Sequence, residues 1–234
     1  MTEQQHIASA FDRDLEAVQA HIMKMGGLVE AAIMGAARSL ETRDEELAQE
    51  VRQGDKAIDA LEDLINEETA RLIALRAPTA GDLRLVLSVL KVSANLERIG
   101  DYSKNIAKRT TVLVNAAEVN GSASALRRMA REVEVMLRDA LDAYIRRDAE
   151  LAADVIARDE DVDQMYNGLF REFLTFMAED PRNISACMHL HFIAKNIERM
   201  GDHVTAIAEQ VIYLVTGERP SESRPKADTT SQTI

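Results

Sequence analysis

Apolar residues recur along this chain at alternating steps of three and four. The longest stripe runs Leu190, Ile193, Ile197, Met200, Val204, Ile207, Val211 and Leu214. An α-helix turns once in about 3.6 residues, so such a stripe lies on one helical face and predicts a seam packed against neighbouring helices. A second stripe, Val89, Val92, Leu96, Ile99, Ser103 and Ile106, keeps the same register with a serine in one place.

The periodic segments are interrupted at recognisable turns. Ala77-Pro78-Thr79-Ala80-Gly81-Asp82 and Glu179-Asp180-Pro181-Arg182-Asn183 are turn chemistry with proline as a breaker. Charge clusters near Arg43 and Arg147 break the apolar period again, and Asn120-Gly121-Ser122 reads as a turn followed by an N-cap serine. The simplest parse is three long helices in each half, six in all.

The halves are copies. Asn95-Leu-Glu97-Arg98-Ile-Gly100-Asp101 returns as Asn196-Ile-Glu198-Arg199-Met-Gly201-Asp202, and Arg43-Asp44, Leu47, Val51, Asp55 and Asp59 return as Arg147-Asp148, Leu151, Val155, Asp159 and Asp163. The second set is offset by three residues more than the first, because the hairpin loop of the second copy is shorter. The predicted fold is all-α: two tandem three-helix bundles related by internal repeat, packed at shallow angles. The repeats span residues 1–118 and 119–216, and residues 217–234, rich in Ser, Thr, Pro and charge, form a tail expected to be disordered.

Composition agrees with long helices: 46% hydrophobic, 4% aromatic, 29% charged, four prolines and no tryptophan in 234 residues. A net charge of −12 repels polyanions, which argues against nucleic acid and favours cations or basic protein surfaces as partners. The single cysteine, Cys187, excludes an internal disulfide framework and reads as helix filler. The polar N-terminus lacks the pattern of a secretory signal, and no segment reaches the roughly 18 uninterrupted apolar residues of a membrane span. A cytoplasmic protein without direct membrane insertion is expected.

Each copy carries two acid pairs one helical turn apart: Asp55 with Asp59 and Glu97 with Asp101, then Asp159 with Asp163 and Glu198 with Asp202. In an antiparallel hairpin, residues equidistant from the loop stand at equal height. The opposed acids of the first copy centre on Pro78, and those of the second on Asp180-Pro181. Four carboxylates are therefore predicted to meet in each repeat. Counted at about 100° per residue, they flank or oppose the core stripe, which places them at the bundle surface. Such a group repels itself unless cations or protons neutralise it, and all-oxygen ligation selects hard ions such as magnesium, manganese, calcium or iron. Gly100 and Gly201, inside the motif, imply close helix approach. Arg98 and Arg199 read as surface salt-bridging residues, with anion binding as the other option; His203 is a weak extra ligand, since its counterpart is Tyr102. His189 and His191 are expected to pack on the last helix.

The doubled acid-x-x-x-acid motif, standing as Asp55-Lys-Ala-Ile-Asp59, Glu97-Arg-Ile-Gly-Asp101, Asp159-Glu-Asp-Val-Asp163 and Glu198-Arg-Met-Gly-Asp202, resembles the PhoU family over about residues 10 to 215. The resemblance implies a non-enzymatic regulator that represses the phosphate-starvation response and restrains phosphate uptake by contact. It implies as partners the phosphate ABC transporter, through its ATPase subunit, and the sensor histidine kinase of the phosphate regulon, and it implies a homodimer. It further implies multinuclear iron or zinc clusters, or other divalent ions such as magnesium or manganese, at these acids. Two rival readings share the helical fold. A ferritin-like metalloenzyme requires Glu-x-x-His ligands, and the chain has that spacing only at Glu3-Gln-Gln-His6. A metal-free scaffold would use the acids as solvated surface.

Overall fold

The computed structural model describes residues 3–116, 118–119 and 121–218, with side chains from Ala10 onward. Six helices follow one another: α1 Glu3–Thr42, α2 Glu45–Arg76, α3 Ala80–Leu113, α4 Ser122–Arg146, α5 Ala149–Glu179 and α6 Ile184–Thr216, with one 3₁₀ turn, Pro181–Asn183, before the last. No strand occurs among the described residues.

The repeated Arg-Asp dipeptide is a turn built twice. Arg43 and Arg147 both take the left-handed conformation at φ 54, which ends α1 and α4. Asp44 and Asp148 then cap α2 and α5, accepting hydrogen bonds from the Leu47 amide and from the Glu150 and Leu151 amides. A capping carboxylate satisfies amides that have no intrahelical partner and typically contributes about 1 kcal/mol. Arg43 also donates to the carbonyls of Leu113, Val114 and Ala116, tying the α1/α2 turn to the segment that links the repeats. At that linker the expected serine cap is displaced by one residue. Gly121, at φ 78, occupies the cap, and Ser122 is the first helical residue with its hydroxyl buried. The positive φ there suits glycine, which has no Cβ to clash.

Within each repeat the three helices pack on one another, and the repeats join through α1 against α4 and α3 against α6. The four joining helices surround a core continuous across both halves, while α2 and α5 lie outside. Gly26 permits the α1/α4 approach, since a Cβ there would overlap Leu141; Gly35 does the same against Val51, whereas Gly27 faces open space. The end of α6 is capped by Gly217, and the rest of the tail, from Arg219, lies outside the described residues. No described helix is long and apolar enough to cross a membrane.

Candidate functional site

The α2/α3 hairpin brings the first four acids together. Asp55, on α2, is 4% exposed and receives the Lys104 ammonium at 2.5 Å; the same ammonium lies 3.1 Å from Asp101 on α3. One cation thus bridges the two helices between acids at the level expected from the sequence. Glu97 is half-buried one turn away, its carboxyl pushed up to about 7 by burial first and the Asp101 charge second. Asp59 is exposed at the rim, and its carboxyl is also raised, by partial desolvation and then by Asp55. Gly100 lets α2 in: a Cβ there would stand 3.0 Å from Ile58 Cδ1 and 3.7 Å from Asp55 Oδ1.

A fifth carboxylate belongs to this group. Glu62 is half-buried, raised by burial and by neighbours that include Asp59 and Asp101, and drawn back by Arg98. Its signal in the sequence is its place one turn beyond Asp59 on the same α2 face.

The α5/α6 hairpin repeats the arrangement with deeper burial. Asp159 is 2% exposed, Asp163 3% and Glu198 6%, while Asp202 is half-buried. Glu198 accepts from Lys195 at 2.8 Å, and its second oxygen is buried with no hydrogen-bond partner. Burial raises its carboxyl, Lys195 opposes that rise, and Asp202 and Asp163 reinforce it. At Gly201 a Cβ would fall 2.8 Å from Asp159 Oδ1, so the glycine is what lets that carboxylate lie against α6.

The expectation of a surface position is therefore corrected, since four of the eight acids, Asp55, Asp159, Asp163 and Glu198, are buried. Angles measured from a single apolar stripe place these acids outside the core. Yet α3 and α6 each bury a second face, against α2 and α5, and the acids sit in those hairpin interfaces.

Arg98 contacts Glu97 at 3.4 Å and Asp101 at 3.7 Å, in keeping with a surface ion pair. His203 pairs with Asn95 across the α3/α6 contact at 2.8 Å. His189 meets Arg109 at 3.3 Å, His191 packs among Tyr166, Phe170 and Phe192, and Cys187 is buried filler.

Among the described residues, no three His, Cys, Asp or Glu side chains already stand as a ligand set. What the hairpins provide is oxygen chemistry under electrostatic stress: buried carboxylates at short range, one oxygen unsatisfied, each cluster held by an ammonium. That donor set fits a hard divalent cation, which would satisfy the orphaned Glu198 oxygen and relieve the repulsion.

Fold and site together define a duplicated helical-bundle protein with a carboxylate cluster inside each hairpin. The PhoU domain model matches residues 22–110 and 126–211, one match per repeat, and the chain belongs to the PhoU family. It is 44% identical over 232 residues to a phosphate-specific transport system accessory protein PhoU homolog of Caulobacter vibrioides, covering 99% of this chain and all of that one. It is 46% identical over 222 residues to the similarly named protein of Zymomonas mobilis, covering 94% and 93%. The crystal structure of PhoU from Pseudomonas aeruginosa superposes with a TM-score of 0.86 at 42% identity, over 89% of this chain and 100% of that one. The phosphate transport system regulatory protein PhoU from Streptococcus pneumoniae gives 0.83 at 30% identity, over 91% and 100%. The family and its link to phosphate transport are thereby established.

Proposed function

We propose that this chain is a cytoplasmic negative regulator of phosphate uptake and of the phosphate-starvation response, acting by contact rather than catalysis. Its partners are the ATPase subunit of the phosphate ABC transporter and the sensor histidine kinase of the phosphate regulon, and it works as a homodimer. The observation that carries this reading is full-length similarity to accessory proteins of the phosphate transport system, combined with an acid cluster in both repeats.

Each cluster holds a divalent or multinuclear metal site. Asp55, Asp59, Glu97 and Asp101 would hold the cation in the first repeat, and Asp159, Asp163, Glu198 and Asp202 in the second; iron, zinc, magnesium and manganese are the candidates. The bound cation supplies positive charge that crosslinks the two helices of a hairpin. The chain's own residues do the rest: Gly100 and Gly201 set the helix spacing, and Lys104 and Lys195 neutralise the acids when no metal is present. Buried carboxylates favour this reading over a purely solubilising role, because a solubilising carboxylate keeps its hydration and burial takes it away at a cost of several kcal/mol.

The test pairs elemental analysis with partner binding, for the wild type and for a Glu97→Ala, Asp101→Ala, Glu198→Ala, Asp202→Ala variant. The wild type is expected to carry metal and to bind the ATPase subunit and the kinase, and the variant to lose the metal. Partner binding with no metal in either protein would keep the regulator and remove the metal sites. Failure of the wild type to bind either partner would remove the contact mechanism.

A further inference from the structure

The acid clusters leave unexplained the outward face of the seam where α3 meets α6. The two helices run antiparallel there. Asn95 and His203 touch at 2.8 Å, Arg109 and His189 at 3.3 Å, and the Arg84 guanidinium lies over the Tyr213 ring, 5.4 Å from its centroid. All three pairs are arranged about one level, that of Arg98 and Arg199, so the internal dyad passes between those two arginines. Both are exposed, and each lies one turn from the Asn95–His203 contact.

Three properties mark the seam. Its outward side carries Arg84, Lys91, Arg98, Arg109 and Arg199 against Glu209 within it and Asp101 and Asp202 at its margins, a positive excess on a chain whose net charge is −12. Large apolar side chains are exposed towards both ends: Leu87 and Val112 on α3, Met188 and Phe192 on α6, with Arg109 stacked over Phe192 at 4.4 Å. A groove of about 390 Å³ runs between the helices, with Lys91, Asn95, Glu209, Gln210 and Tyr213 in its walls. Leu87 and Met188 are repeat-equivalents, so the ends resemble each other.

We propose that the α3/α6 seam is the docking surface for an acidic, amphipathic helix of a partner protein. The helix seats apolar side chains at the Leu87 and Phe192 ends and carboxylates opposite the central cations. Helix-in-groove recognition requires that combination of apolar anchors and complementary charge. A second copy of this chain fits poorly, because a twofold contact of the seam with itself sets guanidinium against guanidinium. A continuous polyanion is disfavoured by Asp101 and Asp202 at the margins.

This inference rests on the contact mechanism proposed above, and its probes are the transporter ATPase subunit and the cytoplasmic part of the sensor kinase. Titration calorimetry would compare the wild type with Lys91→Glu/Arg109→Glu and with Met188→Gln, all of which leave the acid clusters intact. A control, Arg128→Glu/Arg171→Glu, makes the same charge change on α4 and α5; thermal melts confirm folding of each variant. The expected result is at least tenfold weaker binding for the charge-reversed seam, a smaller loss for Met188→Gln, and affinity within twofold of wild type for the control. Equal effects of seam and control variants, or none, would overturn the seam and leave the contact mechanism standing. If the wild type binds neither probe, both ideas fall. If seam variants alter the oligomeric state by light scattering while partner binding is unchanged, the surface joins copies of this chain and the proposal is wrong.

Discussion

In the first repeat the neutralising ammonium comes from Lys104, one turn after the Glu-Arg-x-Gly-Asp segment; in the second it comes from Lys195, one turn before Glu198. Neither lysine has a counterpart. The equivalent of Lys104 is Thr205, whose hydroxyl donates to the Asp202 carbonyl, and the equivalent of Lys195 is Ala94. Burial differs too, with one of four acids buried in the first cluster and three of four in the second. The carboxylate framework is thus common to both repeats while the internal counter-ion is not. What the hairpins share is a demand for positive charge, and a lysine is one local means of meeting it.

The largest expected effect tests that contrast directly. Lys195→Met leaves Glu198 buried without its cation, and in metal-free protein it should cost about 3 kcal/mol in urea denaturation, the scale for breaking a buried pair. Lys104→Met likewise leaves Asp55, as deeply buried as Glu198, without its cation, and should cost a similar amount. Divalent metal should restore both variants, and a loss confined to one repeat would contradict a demand for positive charge shared by both hairpins.

Next come the glycines. Gly201→Ala drives a methyl group into Asp159 and should destabilise by roughly 1–2 kcal/mol while cutting metal retention in the second repeat. At Gly100 the neighbour is the flexible end of Ile58, and alanine's helix preference of about 1 kcal/mol offsets the contact, so Gly100→Ala should be near neutral. Paired melts and metal analysis decide the matter.

A smaller effect follows from the Glu97 carboxyl, raised from 4.5 to about 7. The folded, metal-free protein keeps a proton that the unfolded chain loses nearer 4.5, so this group's contribution to stability declines as pH rises from 4.5 to 7 and is level above that. Glu97→Gln removes the decline. Its advantage over wild type should grow across that window in denaturation series at fixed ionic strength, and a constant difference would contradict a carboxyl raised by burial and the Asp101 charge.

The smallest effect belongs to exposed Asp59: Asp59→Asn should shift metal-free stability by no more than about 0.5 kcal/mol. Read by elemental analysis, it should nonetheless reduce metal bound at the first repeat. Unchanged metal content would take Asp59 out of the ligand set.

Much of the fold was legible in the chain because helices are local. The steps of three and four along Leu190 to Leu214, the proline turns, and the duplicated Arg-Asp and Glu-Arg-x-Gly-Asp segments each act within a few residues of themselves. Hairpin heights follow from helical rise alone, which is why Asp55 and Asp101 meet through Lys104 as the loop positions required. The serine cap failed by one residue, where a glycine with positive φ took the position.

The sequence by itself determined the helices, their order, their pairing into two hairpins and the eight acids that face across them, since these depend on spacing along one chain. Only the tertiary structure decided which acids are buried, that Glu62 joins the first cluster, that lysines from different places hold the two clusters, and that α3 and α6 lie antiparallel with Arg98 level with Arg199. Those outcomes depend on which helix covers which face. That choice is made by packing between segments far apart in the chain, where periodicity carries no information.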